Sequence, residues 1–240
     1  SNLVSKGVQP IEAEYLMVLD RKESDNHGQR VEKTVLSADF FHNSNIQEAN
    51  HLKESIERFV GLIHGVNGHG PTQEEFGMHQ AHAASLGSLC LSRQVGAAIL
   101  DKEGNILALG RNDVPKYGGG LYENIQGHSR DERCVKEANG KCHNDYHKHQ
   151  LKQELKAIIS KTVDVTDDQW DRIYNQISEH SKISNLIEYS RSVHAEMDAI
   201  ISIARKGVKV GDRSTLYTTV FPCHNCARHI VAAGITAVVY

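Results

Sequence analysis

Two short motifs constrain this chain more than any other feature: residues 193–196 read Val-His-Ala-Glu, and residues 221–226 read Phe-Pro-Cys-His-Asn-Cys. Together they supply one imidazole and two thiols, at His194, Cys223 and Cys226, which are three ligands for a tetrahedral zinc ion. A structural zinc site is closed by four protein ligands, whereas three ligands leave a position open for water. The motifs therefore predict a catalytic metal centre.

Glu196 follows the histidine ligand by two residues, so its carboxylate lies close to the metal without being obliged to bind it. Zinc lowers the pKa of a bound water to about 7, which makes hydroxide available at neutral pH. A carboxylate in this position can take the proton from the water and deliver it to the substrate. We therefore predict that Glu196 is a proton shuttle.

Secondary-structure signals surround both motifs. Residues 192–204 carry apolar side chains at helical spacing, residues 216–220 have the composition of a β-strand, and Pro222 opens a second helix that runs to residue 233. All three ligands are then expected in the first turn of a helix. The helix macrodipole at that position favours thiolate over thiol.

The composition restricts the class of protein. The 240 residues are 39% hydrophobic and 24% charged, which suits one or two globular domains with a core. The net charge is −3 and aromatic residues make up 6%, so a nucleic-acid-binding surface is not expected. No apolar run reaches about 18 residues, which predicts no membrane helix. Five cysteines, two of them in a metal motif, favour a reducing compartment, and we expect a cytoplasmic protein.

Residues 1–66 are predicted to form a separate first unit with an amphipathic helix at 46–63. The basic residues Arg21 and Arg30 and the segment at 38–43 resemble the C-terminal part of a P-loop nucleotide-kinase-like domain. The chain has no Gly-x-x-x-x-Gly-Lys-[Ser/Thr] motif, so no nucleotide hydrolysis is assigned to this unit. The glycine-rich stretch at 65–70 is interpreted as a linker.

Residues 71–240 are predicted to form the second unit. A helix is expected at 73–89, and strands at 95–100 and 106–109 form a hairpin. Residues 121–150 contain few apolar residues and many histidines, and helices follow near 150–159 and 166–189. The final apolar run, 235–240, is a further strand, and we expect the domain to be truncated after it.

The order of hairpin, His-x-Glu helix, strand and Pro-Cys-x-x-Cys helix resembles the cytidine deaminase superfamily, in which this signature defines a zinc site. Within it, residues 89–99 and 110–115 are similar to segments of deoxycytidylate deaminases. Residues 188–200 and 217–228 resemble defence-associated bacterial deoxycytidine nucleotide deaminases with a kinase-like N-terminal domain. The resemblance implies an α/β fold, with a mixed sheet flanked by helices.

The same resemblance implies the function and the site residues. It implies hydrolytic deamination of dCMP or dCTP, with catalytic zinc on the three ligands, by a homo-oligomer that could serve in antiphage nucleotide depletion. Asn112 occupies the family's position for binding the deoxyribose, although an asparagine before Asp and Pro is also a common turn residue. The backbone near Ala195 and Phe221 is implied to contact the base.

Further cationic and metal-binding residues are candidates for supporting roles. Arg93, Arg111 and Lys116 are candidates for binding phosphate, and the loop at 111–120 could cover the sugar. Some deoxycytidylate deaminases carry a structural zinc, and this resemblance makes a second zinc site a candidate here. The alternative interpretation is a polar loop with incidental histidines. The candidate second set contains these four residues: Cys90, Cys134, Cys142 and His147.

Two other functions remain open from the sequence. One is a deaminase that acts on RNA or single-stranded DNA, which would need a basic and aromatic surface to hold a strand. The other is a non-catalytic regulatory protein in which zinc serves only to stabilise the fold. Glu196 distinguishes the second alternative, because a structural site does not need a general acid–base.

Overall fold

The computed structural model describes residues 7, 9–12, 38, 40, 50–123, 131–136, 140–180, 183 and 189–240. Its backbone contacts divide the chain into two units, Ser1–Gly70 and Pro71–Tyr240. Within the described ranges, no helix is both long and apolar enough to cross a membrane.

In the first unit, helix α1 spans His51–Ile63, within the predicted helical region. The ring of Phe59 stacks on that of Phe40, with centroids 4.4 Å apart. Arg21, Arg30 and most of the segment at 38–43 lie outside the described residues. The predicted kinase-like segment therefore lies largely outside the described part of the chain.

The second unit contains a four-stranded mixed sheet with the order β2-β1-β3-β4. Strand β1 (Gly96–Leu100) is antiparallel to both β2 (Ile106–Arg111) and β3 (Thr215–Thr218). Strand β4 (Ala237–Val239) is parallel to β3. The predicted hairpin and the predicted mixed α/β sheet are confirmed.

Helices cover both faces of this sheet. Helix α2 (Gln73–Ser85) begins at a capping box in which the Thr72 side chain and Glu75 satisfy each other's backbone amides. The side chains of alternate β1 residues enter two different clusters, one with Ala81 of α2 and one on the opposite face. As a result, all five β1 residues are buried, which explains the continuous apolar run in the sequence.

Two glycines allow the helices to approach the sheet closely. A Cβ on Gly96 would lie 1.9 Å from the Ala81 carbonyl oxygen, and a Cβ on Gly110 would lie 2.2 Å from the Ala195 carbonyl oxygen. Ala195 begins helix α5 (Ala195–Lys206). Gly110 therefore sets the distance between strand β2 and the helix end that carries the His-x-Glu motif.

The insertion between β2 and α5 differs from its prediction. Helix α3 spans His143–Ile159, so it begins seven residues earlier than predicted and includes much of the histidine-rich segment. Helix α4 spans Asp167–His180, and part of the predicted continuation to residue 189 lies outside the described residues. Ion pairs between Lys152 and Asp171 and between Lys156 and Asp167 connect the two helices.

Candidate metal and substrate site

The three predicted ligands meet where two helices begin. His194 is the N-cap residue of α5, and Cys223 is the N-cap residue of α6 (His224–Ala232). The Nδ1 atom of His194 lies 3.4 Å from Sγ of Cys223 and 3.3 Å from Sγ of Cys226. Donor atoms of all three residues lie within 4.8 Å of one another, which is compact enough for one shared metal ion.

Backbone hydrogen bonds hold both motifs against the sheet. The amide of Val193, next to the histidine ligand, donates to the carbonyl oxygen of Asp113 at 2.9 Å. The amide of Thr219, which follows β3, donates to the carbonyl oxygen of Gly96 at 3.1 Å. These bonds place the segments before α5 and α6 beside the ends of neighbouring strands, so both helices start at the same place.

The donor set matches the chemistry of zinc. Burial, together with the neighbouring Glu196 carboxylate and Cys223 thiol, raises the pKa of the Cys226 thiol. Ionisation of two thiols so close to a carboxylate is unfavourable without a cation, whereas a bound divalent ion deprotonates a coordinating thiol. One imidazole and two thiols are also typical zinc ligands. The residues present therefore fit a zinc ion.

Glu196 occupies the second position of α5 and is 2% exposed. Burying a carboxylate costs free energy unless a neighbouring positive charge or a hydrogen bond compensates for the lost hydration. Its location beside the three ligands gives it such a partner once a cation is bound. The arrangement is suited to proton transfer in a site from which bulk water is largely excluded.

A cavity of about 290 Å³ is lined by two of the three ligands, His194 and Cys223, and by Glu196. Its volume suits a small molecule. Several chain segments contribute to its wall. The wall contains residues 89–93, 95, 112–114, 134, 142–144, 190–192, 194–196, 220, 221 and 223.

Asn112 lies in this wall, but its amide is largely occupied by the protein itself. Its Oδ1 accepts from the Val95 amide at 2.7 Å and from the Ser88 hydroxyl at 3.0 Å. Its Nδ2 donates to the Arg93 carbonyl oxygen at 2.6 Å. The side chain therefore joins the end of β2 to the segment before β1, and one amide hydrogen remains beyond these bonds.

The loop at 111–120, which is predicted to cover the sugar, meets the cavity at its beginning. Gly119 and Gly120 lie against the guanidinium group of Arg205, in the last turn of α5. Only residues 112–114 of the loop line the cavity. Among the predicted phosphate-binding cations, Arg93 lines the cavity, whereas Arg111 and Lys116 do not.

A buried ion pair supports the cavity wall and was not predicted. Asp113 is 1% exposed and Arg133 is 2% exposed, with 3.5 Å between Nη1 and Oδ2. The Asp113 carboxylate also accepts from the amides of Leu89 and Val114, while Arg133 binds Asp131 at 2.6 Å. The hydrogen bond from Arg133 lowers the pKa of Asp131. The pair thus joins segments that are distant in sequence, and no local motif marks it.

The second predicted metal set is only partly assembled. Cys90, Cys134 and Cys142 line the cavity together with His143, whereas His147 stacks on Tyr189 with ring centroids 4.8 Å apart. In the part of the chain that the structure describes, the His194 group is the only one with three close donor atoms. A second metal is therefore not established by this arrangement.

Comparison with known proteins places this site in a family. The model for the cytidine and deoxycytidylate deaminase zinc-binding region matches residues 71–240. This match confirms the predicted superfamily and agrees with zinc as the metal of the donor set.

Two of the similar proteins are phage enzymes. The chain is 31% identical to the deoxycytidylate deaminase of Enterobacteria phage T2 over 162 residues, covering 67% of this chain and 74% of the relative. It is 30% identical to that of phage T4 over 165 residues, covering 67% and 72%. A solved structure that is similar to this chain is a crystal structure of dCMP deaminase from cyanophage S-TIM5 in complex with dCMP and dUMP. The two chains are 21% identical with a TM-score of 0.39, and the match covers 71% of this chain and 81% of that chain.

Proposed function

We propose that this chain, which belongs to the cytidine and deoxycytidylate deaminase family, hydrolytically deaminates dCMP or dCTP to the deoxyuridine nucleotide. One observation carries the proposal: the His194, Cys223 and Cys226 donors cluster beside the buried Glu196, and His194, Cys223 and Glu196 line a small cavity. The T2 and T4 relatives, both named deoxycytidylate deaminases, support the choice of a deoxycytidine nucleotide.

Proton transfer is the role that the chain's own residues perform. His194, Cys223 and Cys226 would hold a zinc ion, which would lower the pKa of a water molecule enough for hydroxide, the attacking nucleophile, to form at neutral pH. Glu196 takes one proton from that water and gives it to N3 of cytosine while the C4–O bond forms. It then carries the second proton to the amino group, the C4–N bond breaks, and ammonia leaves the uracil product.

Ala195 and Asn112 are proposed to hold the substrate around this reaction. Ala195 is the first residue of α5, so its amide has no acceptor within the helix, and the residue lines the cavity. We assign this part of the backbone to the base. The remaining amide hydrogen of Asn112 is assigned to the 3′-hydroxyl of the deoxyribose.

A substrate panel tests the proposed function. Loss of cytosine absorbance is measured with dCMP, dCTP, deoxycytidine, CMP, CTP and a single-stranded oligonucleotide. We expect deamination of at least one deoxynucleotide, weaker activity on the matching ribonucleotide, and none on the oligonucleotide. Deamination of the oligonucleotide alone would favour a polynucleotide deaminase, and no activity on any cytosine compound would favour a non-catalytic zinc protein.

A structural zinc near Cys134 and Cys142 is a further proposal. The support is that both thiols and Cys90 line the same cavity, where burial raises the pKa of Cys142 and the nearby Cys90 adds to the effect. The Cys134→Ala, Cys142→Ala double variant is expected to lose one zinc per chain and to unfold at lower temperature. Elemental analysis that finds unchanged zinc in this variant would reject the second site.

A role in antiphage nucleotide depletion, inside the cytoplasm and as a homo-oligomer, completes the proposal. Its support is the resemblance of residues 188–200 and 217–228 to defence-associated deaminases. Infected cells with the intact protein should have smaller dCMP and dCTP pools than cells with an inactive variant. Equal pools in the two cell lines would contradict the defence role and leave the chemistry unaffected.

A further inference from the structure

We propose that Arg93 recognises the 5′-phosphate of the nucleotide. This inference rests on the proposed function and deepens it, because it names the residue that distinguishes a nucleotide from a nucleoside. Arg93 lies in the wall of the cavity that His194 and Glu196 also line. Neither the His-x-Glu motif nor the Pro-Cys-x-x-Cys motif contains it.

The burial of the cavity wall determines how a nucleotide can enter it. Glu196 is 2% exposed, and the cytosine ring must lie beside it for the reaction to occur. The phosphate is the charged end of the nucleotide, so its binding costs less where it keeps contact with water. Arg93 is exposed and belongs to the same wall. The exposed part of the wall that contains Arg93 is therefore where the phosphate is expected.

Hydrogen bonds to Asn112 fix the backbone that carries this arginine. The Arg93 carbonyl oxygen accepts from Nδ2 of Asn112 at 2.6 Å. Two residues later, the Val95 amide donates to Oδ1 of Asn112 at 2.7 Å, and the Val95 carbonyl oxygen accepts from the Asn112 amide at 3.1 Å. Asn112 is buried, so these bonds are shielded from water. The Arg93 side chain therefore extends from a fixed point of the wall.

The same asparagine places Arg93 next to the proposed sugar site. Its remaining amide hydrogen is proposed to bind the 3′-hydroxyl of the deoxyribose. C3′ and C4′ are adjacent atoms of the sugar ring, and C4′ carries the carbon to which the 5′-phosphate is attached. A nucleotide held by Asn112 therefore has its phosphate within reach of a long side chain on a residue that contacts Asn112. Arg93 is such a residue.

The contacts of the charged wall residues favour Arg93 over the other arginine of the wall. Arg191 donates to the Glu132 carbonyl oxygen at 2.9 Å, so the protein itself holds its guanidinium group. The Asp113 carboxylate is paired with Arg133. Among the residues that the structure describes, no hydrogen bond or ion pair holds the guanidinium group of Arg93. Its five donors, arranged in a planar fork, are therefore left for phosphate oxygens.

Substitution of Arg93 and comparison of a nucleotide with its nucleoside test the proposal. The value of kcat/KM is measured for dCMP, dCTP and deoxycytidine with the wild type, Arg93→Gln, Arg93→Lys and Arg172→Gln. Arg172 is an exposed residue of α4 that does not line the cavity, and it serves as a matched control. The quantity compared is the ratio of kcat/KM for each nucleotide to that for deoxycytidine.

We expect Arg93→Gln to lower this ratio by about 10-fold, chiefly through KM of the nucleotide, as for loss of one hydrogen bond between charged groups. Arg93→Lys should recover part of the loss, and Arg172→Gln should keep the wild-type ratio. Because Arg93 is exposed, the wild-type ratio should fall as salt is added, and the ratio of Arg93→Gln should respond less. An unchanged ratio in Arg93→Gln would overturn the proposal, even if that variant were less active on every substrate.

Binding of dUMP and deoxyuridine, measured by calorimetry, separates this inference from the proposed function because it requires no turnover. We expect the wild type to bind dUMP more tightly than deoxyuridine, and Arg93→Gln to reduce this difference by about 10-fold. That result without any deamination would reject the proposed reaction and retain the phosphate site. Equal binding of dUMP and deoxyuridine by the wild type, or binding of neither, would overturn the phosphate site.

Discussion

Replacement of Glu196 with alanine is expected to abolish turnover while the zinc and the fold are retained. Glu196 is buried beside the three donors and is the acidic group placed to move protons between water and substrate. General acid–base catalysis contributes about 10²- to 10⁴-fold, so the loss should be at least in this range. Steady-state deamination, elemental analysis and circular dichroism of the same preparation measure activity, zinc and fold.

Two further variants make the Glu196 result specific. Glu196→Gln keeps the shape of the side chain but cannot accept a proton, so it should be as inactive as the alanine variant. Glu103→Ala removes an exposed carboxylate in the turn between β1 and β2 and should retain full activity. Appreciable turnover by both Glu196 variants would mean that another base serves the reaction.

The substitution Cys223→Ser is expected to remove the catalytic zinc and, with it, all activity. Cys223 caps α6 and contributes one of the two thiols of the donor set. A ligand that binds only the folded state stabilises it, so the variant should also lose the rise in melting temperature that zinc produces in the wild type. Zinc content and thermal unfolding, each with and without added zinc, are the measurements.

The neighbouring residue provides the control for this substitution. His224 is exposed in the first turn of α6 and is not one of the three donors. His224→Ala should therefore keep its zinc, its melting temperature and its activity. If Cys223→Ser retained zinc and activity to the same extent as His224→Ala, the metal site would be misassigned.

Local patterns predict the parts of this site that lie close together in sequence. The His-x-Glu and Pro-Cys-x-x-Cys motifs each belong to one helix start, so the short spacing of their residues is enough to predict them. The β1–β2 hairpin is predicted for the same reason, because only five residues separate its strands. These features depend on spacing and not on distant contacts.

Features of the site that depend on contacts between distant residues could not be predicted from the sequence. The bond between Asp113 and Arg133 joins residues twenty positions apart, so no local pattern marks it. Asn112 has turn-forming chemistry in the sequence, yet the structure directs its amide to Val95, Ser88 and Arg93. The first turns of helix α3 were not predicted because they are polar and rich in histidine.

We expect this chain to replace the amino group of a deoxycytidine nucleotide with oxygen from water. Mass spectrometry of dCMP and dCTP incubated with the zinc-loaded protein in heavy-oxygen water tests it most directly. We predict a deoxyuridine nucleotide that carries one heavy oxygen on the base, formed together with ammonia. Recovery of both nucleotides unchanged, from protein that contains its zinc, would contradict the account.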